Sequence, residues 1–103
     1  MNELIEPALV DVLAAANRIR PYLAPTPLRH SPAVSEAVGA EVHLKYELHL
    51  PTGAFKVRGG VNLVSQLSEA EREAGVISAS TGNHGQSVAV SYTHLTLPTK
   101  RIV

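Results

Sequence analysis

Cysteine is absent from the 103 residues, which excludes disulfides, thiolate nucleophiles and cysteine-based zinc sites. Net charge is absent as well, since nine Lys and Arg balance nine Asp and Glu. Such a chain has no field with which to gather nucleic acid or an anionic membrane, and neither is expected as a partner. No apolar run approaches the ~18 residues that span a bilayer. The opening Met1-Asn2-Glu3-Leu4-Ile5-Glu6 is acidic where a secretory leader is basic, so a cytoplasmic location is the expectation. The sequence contains no G-x-G-x-x-G and no Walker loop. His30, His43, His49, His84 and His94 show no i,i+4 pair or other ligand spacing, so no metal is expected. Repeats and low-complexity segments are lacking too. What is there is a globular composition, 45% hydrophobic and 17% charged, in a chain long enough for one small domain with a core.

The first periodic segment runs from Ala8 to Arg20. Leu9, Val12, Leu13, Ala16 and Ile19 fall on one helical face, Pro7 suits the first turn, and Pro21 stops the run. A proline-stiffened connector, Ala24-Pro25-Thr26-Pro27-Leu28, follows. Ser31-Pro32 opens a short helix that Gly39 closes. From Glu41 to Glu47 the chain alternates, with Val42, Leu44 and Tyr46 on one side and Glu41, His43, Lys45 and Glu47 on the other, which predicts a strand. Lys45 and Glu47 on its polar face are expected to pair with each other, the alternative being that they support the loop that follows. Ser68 and Glu71 have the spacing of a capping box, and Gly75 ends that helix. Val76 to Ser80 reads as a compact buried strand, leading into a helix from about His84 to Val90. Strand, helix, strand, helix in this order predicts a parallel pair with a right-handed crossover, and ligands collect at the carboxyl ends of such strands.

Two stretches lie at those ends. The first is Pro51-Thr52-Gly53-Ala54-Phe55-Lys56-Val57-Arg58-Gly59-Gly60. With Thr52 as N-cap and Gly53 in the turn, Lys56 falls in the first turn of a helix reaching about Leu67. A cation is disfavoured there by the helix dipole, and the paired glycines cost ~1 kcal/mol each. An amine whose charged form is opposed by the dipole and by burial suits Schiff-base chemistry; a solvated helix residue beside a glycine turn is the plain alternative. The second stretch is Ser80-Thr81-Gly82-Asn83-His84-Gly85-Gln86. It is either a capped strand-to-helix turn or an anion site built from a helix start.

Together the two runs resemble fold-type II pyridoxal-phosphate enzymes, in the branch that holds threonine/serine dehydratases and serine racemases. The resemblance implies an α/β fold like the tryptophan synthase β subunit, of which residues 1–90 would be the N-terminal part, with parallel strand–helix–strand–helix order and N-terminal packing helices. It also implies the cofactor pyridoxal 5'-phosphate, carried on Lys56 as a Schiff base, with Lys56 then acting as base at the substrate Cα. Phe55 would pack on the cofactor ring and Asn83 would contact its phenolic oxygen. Ser80, Thr81, Gly82 and His84 would hold the carboxylate of a small amino-acid substrate, and Gln86 would stand behind them. The implied reaction turns a β-hydroxy amino acid into a 2-oxo acid and ammonia. Serine racemisation, or dehydration of a hydroxyectoine-breakdown intermediate, is the alternative within the family. Thr81 leaves the first of these open, because racemising relatives carry a serine hydroxyl at this place and many dehydratases an alanine. A non-catalytic carboxylate- or phosphate-binding module is the alternative from another class.

Family subunits are about three times longer and homo-oligomeric in the expected parent. The glycine-rich phosphate loop and the partner of the pyridine nitrogen lie beyond the resemblance, so the isolated chain is expected to bind cofactor poorly, with little or no activity and marginal stability. Residues 91–103, Ser91-Tyr92-Thr93-His94-Leu95-Thr96-Leu97-Pro98-Thr99-Lys100-Arg101-Ile102-Val103, depart from the family. They resemble translated adapter read-through, and the threonines and the proline predict that the helix breaks there.

Overall fold

A computed structural model describes residues 4–95. Helix α1 spans Leu9–Ile19, one residue inside the predicted limits at each end. Its entry is fastened by the Asp11 carboxylate, which accepts the Ala8 N–H at 2.8 Å, and Pro7 lies before this cap rather than in the first turn. Strand β1 is Leu28–His30. Helix α2, Pro32–Val38, follows the predicted caps: the Ser31 hydroxyl accepts the Val34 N–H at 3.3 Å, and Gly39 leaves the helix at φ 72°.

The predicted strand at 41–47 is shorter. Only β2, His43–Lys45, pairs, and it pairs antiparallel with β1 in the register Leu28↔Lys45, Arg29↔Leu44, His30↔His43. Pro27 and Pro32 bracket β1 and have no N–H to offer a ladder, which limits the ribbon to three residues on each strand. After Tyr46 the chain curls into two 3-10 turns, Glu47–His49 and Pro51–Gly53. The parallel pair is not formed among the described residues. Val76–Ser80 carries no ladder, and a strand exists only beside a partner.

Helix α3, Lys56–Ser65, packs its buried Val57, Gly60, Val61 and Val64 into the centre of the molecule. Leu23 and Leu50 close the cluster around Val57 and Val61. Thr52 is not the cap of α3. It sits inside the 3-10 turn at φ 74°, and Phe55 occupies the N-cap position with no side-chain cap bond. Helix α4, Glu69–Ala74, carries the predicted capping box: Ser68 Oγ accepts the Glu71 N–H at 3.1 Å, and Glu71 accepts the Ser68 N–H at 2.9 Å. That backbone bond, followed by the Ser68 side chain, holds the Glu71 carboxyl below its ordinary value.

Helix α5, Asn83–Leu95, begins one residue before the predicted start and passes through the predicted break at Ser91. Burial overrides propensity here. Tyr92 is fully buried and its hydroxyl donates to the Arg72 carbonyl at 2.6 Å, tying α5 to α4. Residues 96–103, the remainder of the predicted divergent tail, lie outside the described residues. Helices α3 and α5 meet closely at Gly60, where a Cβ would overlap Ser87 Oγ and stand 2.6 Å from Ser91 Oγ. Only glycine lets the two backbones approach this far.

Candidate functional site

Lys56 is the first residue of α3, as the dipole argument requires. Its position is set by what precedes and follows it. Gly53 donates its N–H to the Leu50 carbonyl at 2.9 Å, and the buried Leu50 anchors that turn in the core. On the other side, the buried Ser87 hydroxyl of α5 donates to the carbonyl of Lys56 itself at 2.7 Å. The backbone of Lys56 is therefore pinned, yet its side chain is exposed. The expected burial of the amine is not seen within the described residues. Nζ lies 5.6 Å from the centroid of the Phe55 ring, which is itself 60% exposed. Phe55 thus stands beside the amine as a free aromatic face rather than as a core residue.

A groove of about 690 Å³ opens along α3 from Lys56. Gly59 and Gly60 form its floor, Leu63, Val76, Ile77 and Val88 its apolar walls, and His84 of α5 reaches it from the second sequence run. Gly59 has nothing within 4 Å of where a Cβ would be, so the two glycines divide the work: Gly60 admits a helix and Gly59 keeps the groove open. Of the predicted site residues the groove joins Lys56 and His84; Phe55, Ser80, Thr81, Gly82 and Asn83 are not in its lining. Ser80 to Asn83 form the exposed turn into α5. There Ser80 Oγ accepts the Gly82 N–H at 3.1 Å, and the Gln86 N–H donates to the Gly82 carbonyl at 3.2 Å. The first-turn N–H groups of α5 have no intrahelical partner, as at any helix start, and a carboxylate is a suitable acceptor for them.

Behind the amine lies a charged network that the sequence did not reveal. Glu47 pairs with Arg58 rather than with Lys45: Arg58 Nε donates to Glu47 Oε1 at 2.5 Å and a terminal guanidinium nitrogen donates to Oε2 at 3.0 Å. The Thr26 hydroxyl adds a bond to Oε2 at 2.6 Å, while Lys45 Nζ donates to the Thr26 carbonyl at 2.7 Å. The Arg58 bonds pull the Glu47 carboxyl down to about 2, with help from Thr26 and against the cost of its burial. Glu47 raises the Arg58 guanidinium in turn. The available signal was Arg58 itself, a second cation in the first turn of a helix, where one is already disfavoured. Such a residue needs an anion, and Glu47 is the one that the turns deliver. Among the described residues no group of three or more His, Asp or Glu could hold a metal ion, and no helix is long and apolar enough to cross a membrane.

An accessible primary amine at the edge of a groove with apolar walls, with an exposed aromatic ring beside it outside the groove, fits an aldehyde cofactor with a flat ring. The comparisons agree with this. Residues 19–98 match the family model described as pyridoxal-phosphate dependent enzyme. The chain is 43% identical over 95 residues to L-threo-3-hydroxyaspartate ammonia-lyase of Saccharomyces cerevisiae, covering 92% of this chain and 29% of that protein. It is 42% identical over 102 residues to serine racemase of Schizosaccharomyces pombe, covering 99% of this chain and 32% of that one. The crystal structure of the T.th. threonine deaminase superposes with a TM-score of 0.74 at 37% identity, over 86% of this chain and 31% of the other. The α/β class and the fold-type II relationship are thus those of the resemblance, and the chain spans about a third of the length of these relatives. With most of its length inside the family model, this chain belongs to the pyridoxal-phosphate-dependent enzyme family.

Proposed function

We propose that the chain is the N-terminal part of a dehydratase that converts a β-hydroxy amino acid, threonine or serine, to a 2-oxo acid and ammonia. The observation that carries this reading is the groove in which the Lys56 amine and His84 of the second run face common space. Lys56 is the amine that holds the cofactor and then takes the proton from the substrate Cα. Bound pyridoxal phosphate supplies an electron sink for the charge left at that carbon. Phe55 offers a ring face beside Nζ, and Asn83 orients the cofactor by a hydrogen bond to its phenolic oxygen. Ser80, Thr81, Gly82 and His84 receive the substrate carboxylate, where the α5 dipole and free N–H groups favour an anion. Loss of the β-hydroxyl as water, followed by hydrolysis of the released enamine, gives the 2-oxo acid and ammonia.

Racemisation is the second reading. It is supported by the Thr81 hydroxyl in the exposed turn and by the likeness to the Schizosaccharomyces pombe serine racemase. The parent is read as a cytoplasmic homo-oligomer; the exposed Leu9, Val12 and Leu13 of α1 offer an apolar face that further protein surface would cover. No phosphate cup stands among the residues given roles here, so weak cofactor binding and little turnover are the expectation for the 103 residues alone.

The test is reductive trapping. The chain is incubated with excess pyridoxal phosphate, reduced with borohydride and mapped by peptide mass. Label concentrated on Lys56 over Lys45 and Lys100 is the expected result, and Lys56→Ala removes it. Even labelling of all three lysines would instead favour a carboxylate- or phosphate-binding module, in which Lys56 has no covalent role.

A further inference from the structure

We infer that Glu47 is a positioning residue for Lys56, acting through Arg58 and Thr26 to fix the start of α3. The inference rests on the reading of Lys56 as the cofactor amine. Helix α3 needs such a fastening, because its N-cap residue is Phe55, which has no side-chain oxygen with which to accept the first N–H groups. Two cations, Lys56 and Arg58, crowd the positive end of its dipole. A single carboxylate answers both problems. Glu47 takes two bonds from Arg58, two residues beyond Lys56, and so closes a loop between residues 11 positions apart, in which Lys56 lies. The Thr26 hydroxyl bonds the same carboxylate from the proline-rich connector, so the loop is also tied to the chain that leads into β1.

The arrangement is partly shielded, with side-chain exposures of 28% for Arg58 and 21% for Glu47. A bidentate guanidinium–carboxylate pair in such a place sets direction as well as distance. Lys56 Nζ, by contrast, has no hydrogen-bond partner among the described residues. Its direction into the groove is inherited from the backbone. Beyond the buried Leu50 turn, that backbone has two side-chain fastenings, the Ser87 hydroxyl on the Lys56 carbonyl and Glu47 on Arg58. Glu47 stays ionised far into acid, so this fastening is present throughout the range in which a lysine amine can react.

The experiment compares the unmodified chain with Glu47→Gln and Glu47→Asp by two readouts. The first is amide hydrogen exchange at Gly59 and Gly60, near the start of α3, with Val88 in α5 as internal control. The second is the ratio of borohydride-trapped pyridoxal phosphate on Lys56 to that on Lys45. Glu47→Gln is expected to speed exchange at Gly59 and Gly60 relative to Val88, and to lower the trapping ratio, each by about tenfold, the factor for ~1.4 kcal/mol. Glu47→Asp, which keeps the charge, should recover much of both. Equal acceleration at all three amides would mean a merely structural role and would overturn the inference. So would an unchanged trapping ratio in a chain that labels Lys56 selectively, and in that case the proposed function stands. If neither the unmodified chain nor its full-length parent shows selective label on Lys56, the proposed function fails, while the exchange readout still decides whether Glu47 holds the start of α3.

Discussion

The two runs that carry the family resemblance end up in unlike surroundings. Around Lys56 the backbone is held from three directions: by the buried Leu50 turn, by Ser87 of α5, and by Glu47 acting on Arg58. Around Asn83 the turn from Ser80 is exposed and rests on short-range bonds within itself. The backbone of the lysine is therefore set by the fold, whereas the second turn owes little to its neighbours. On the proposed reading this division suits both: a covalent anchor needs a fixed origin, and a loop that meets a substrate gains from being the softer of the two.

If the lysine region is the rigid one, its close helix crossing should be the most sensitive point. Gly60→Ala is expected to cost about 3 kcal/mol, the upper end for overpacking, because the new methyl overlaps Ser87 Oγ on a buried helix. Gly59→Ala, one residue away with open space, should instead stabilise by up to ~1 kcal/mol through helix propensity. Thermal or urea unfolding of the pair checks both signs, and equal effects would break the contrast between the crossing and the groove floor.

Acid should reach the clamp late. The Glu47 carboxyl is lowered in the folded chain, so its contribution is fully present above the ordinary carboxyl value of 4.5 and is lost as pH falls toward about 2. Stability measured by urea midpoint is expected to hold from pH 7 to about 5 and then drop by ~2 kcal/mol as the pair is protonated. In Glu47→Gln that part of the acid dependence should be missing.

Smaller effects sharpen the same comparison. Ser87→Ala removes the bond to the Lys56 carbonyl and should cost about 1 kcal/mol in unfolding. Ser80→Ala, in the exposed turn, should stay within ~0.5 kcal/mol. A loss at Ser80 as large as that at Ser87 would show that the second loop is as firmly built as the first.

The local half of this organisation was legible in the sequence. The caps of α2 and α4 depend on residues a few positions apart, Ser31 with Val34 and Ser68 with Glu71, and they formed as their spacing predicts. Lys56 at a helix start was likewise readable from the turn residues before it. The misreadings share a cause. Thr52 has the chemistry of a cap, but the turn that seats Leu50 in the core places it at φ 74°, with its buried hydroxyl unbonded among the described residues. Lys45 and Glu47 are neighbours on a predicted strand face, but the strand ends before Glu47 and Arg58 claims it. Thr93 weakens a helix, but a buried Tyr92 holds it together.

By itself, then, the sequence determined the caps of α2 and α4, which lysine stands at a helix start, and which chemistry its two runs resemble. Those features arise from dihedral preferences and hydrogen bonds within one or two turns of chain. Only the tertiary structure decided that Glu47 serves Arg58, that Gly60 admits α5 while Gly59 keeps the groove open, and that Ser87 holds the lysine carbonyl. Each of those joins residues 11 or more positions apart, and such pairings are chosen by which surfaces can be buried together, a property of the packed chain and not of any segment within it.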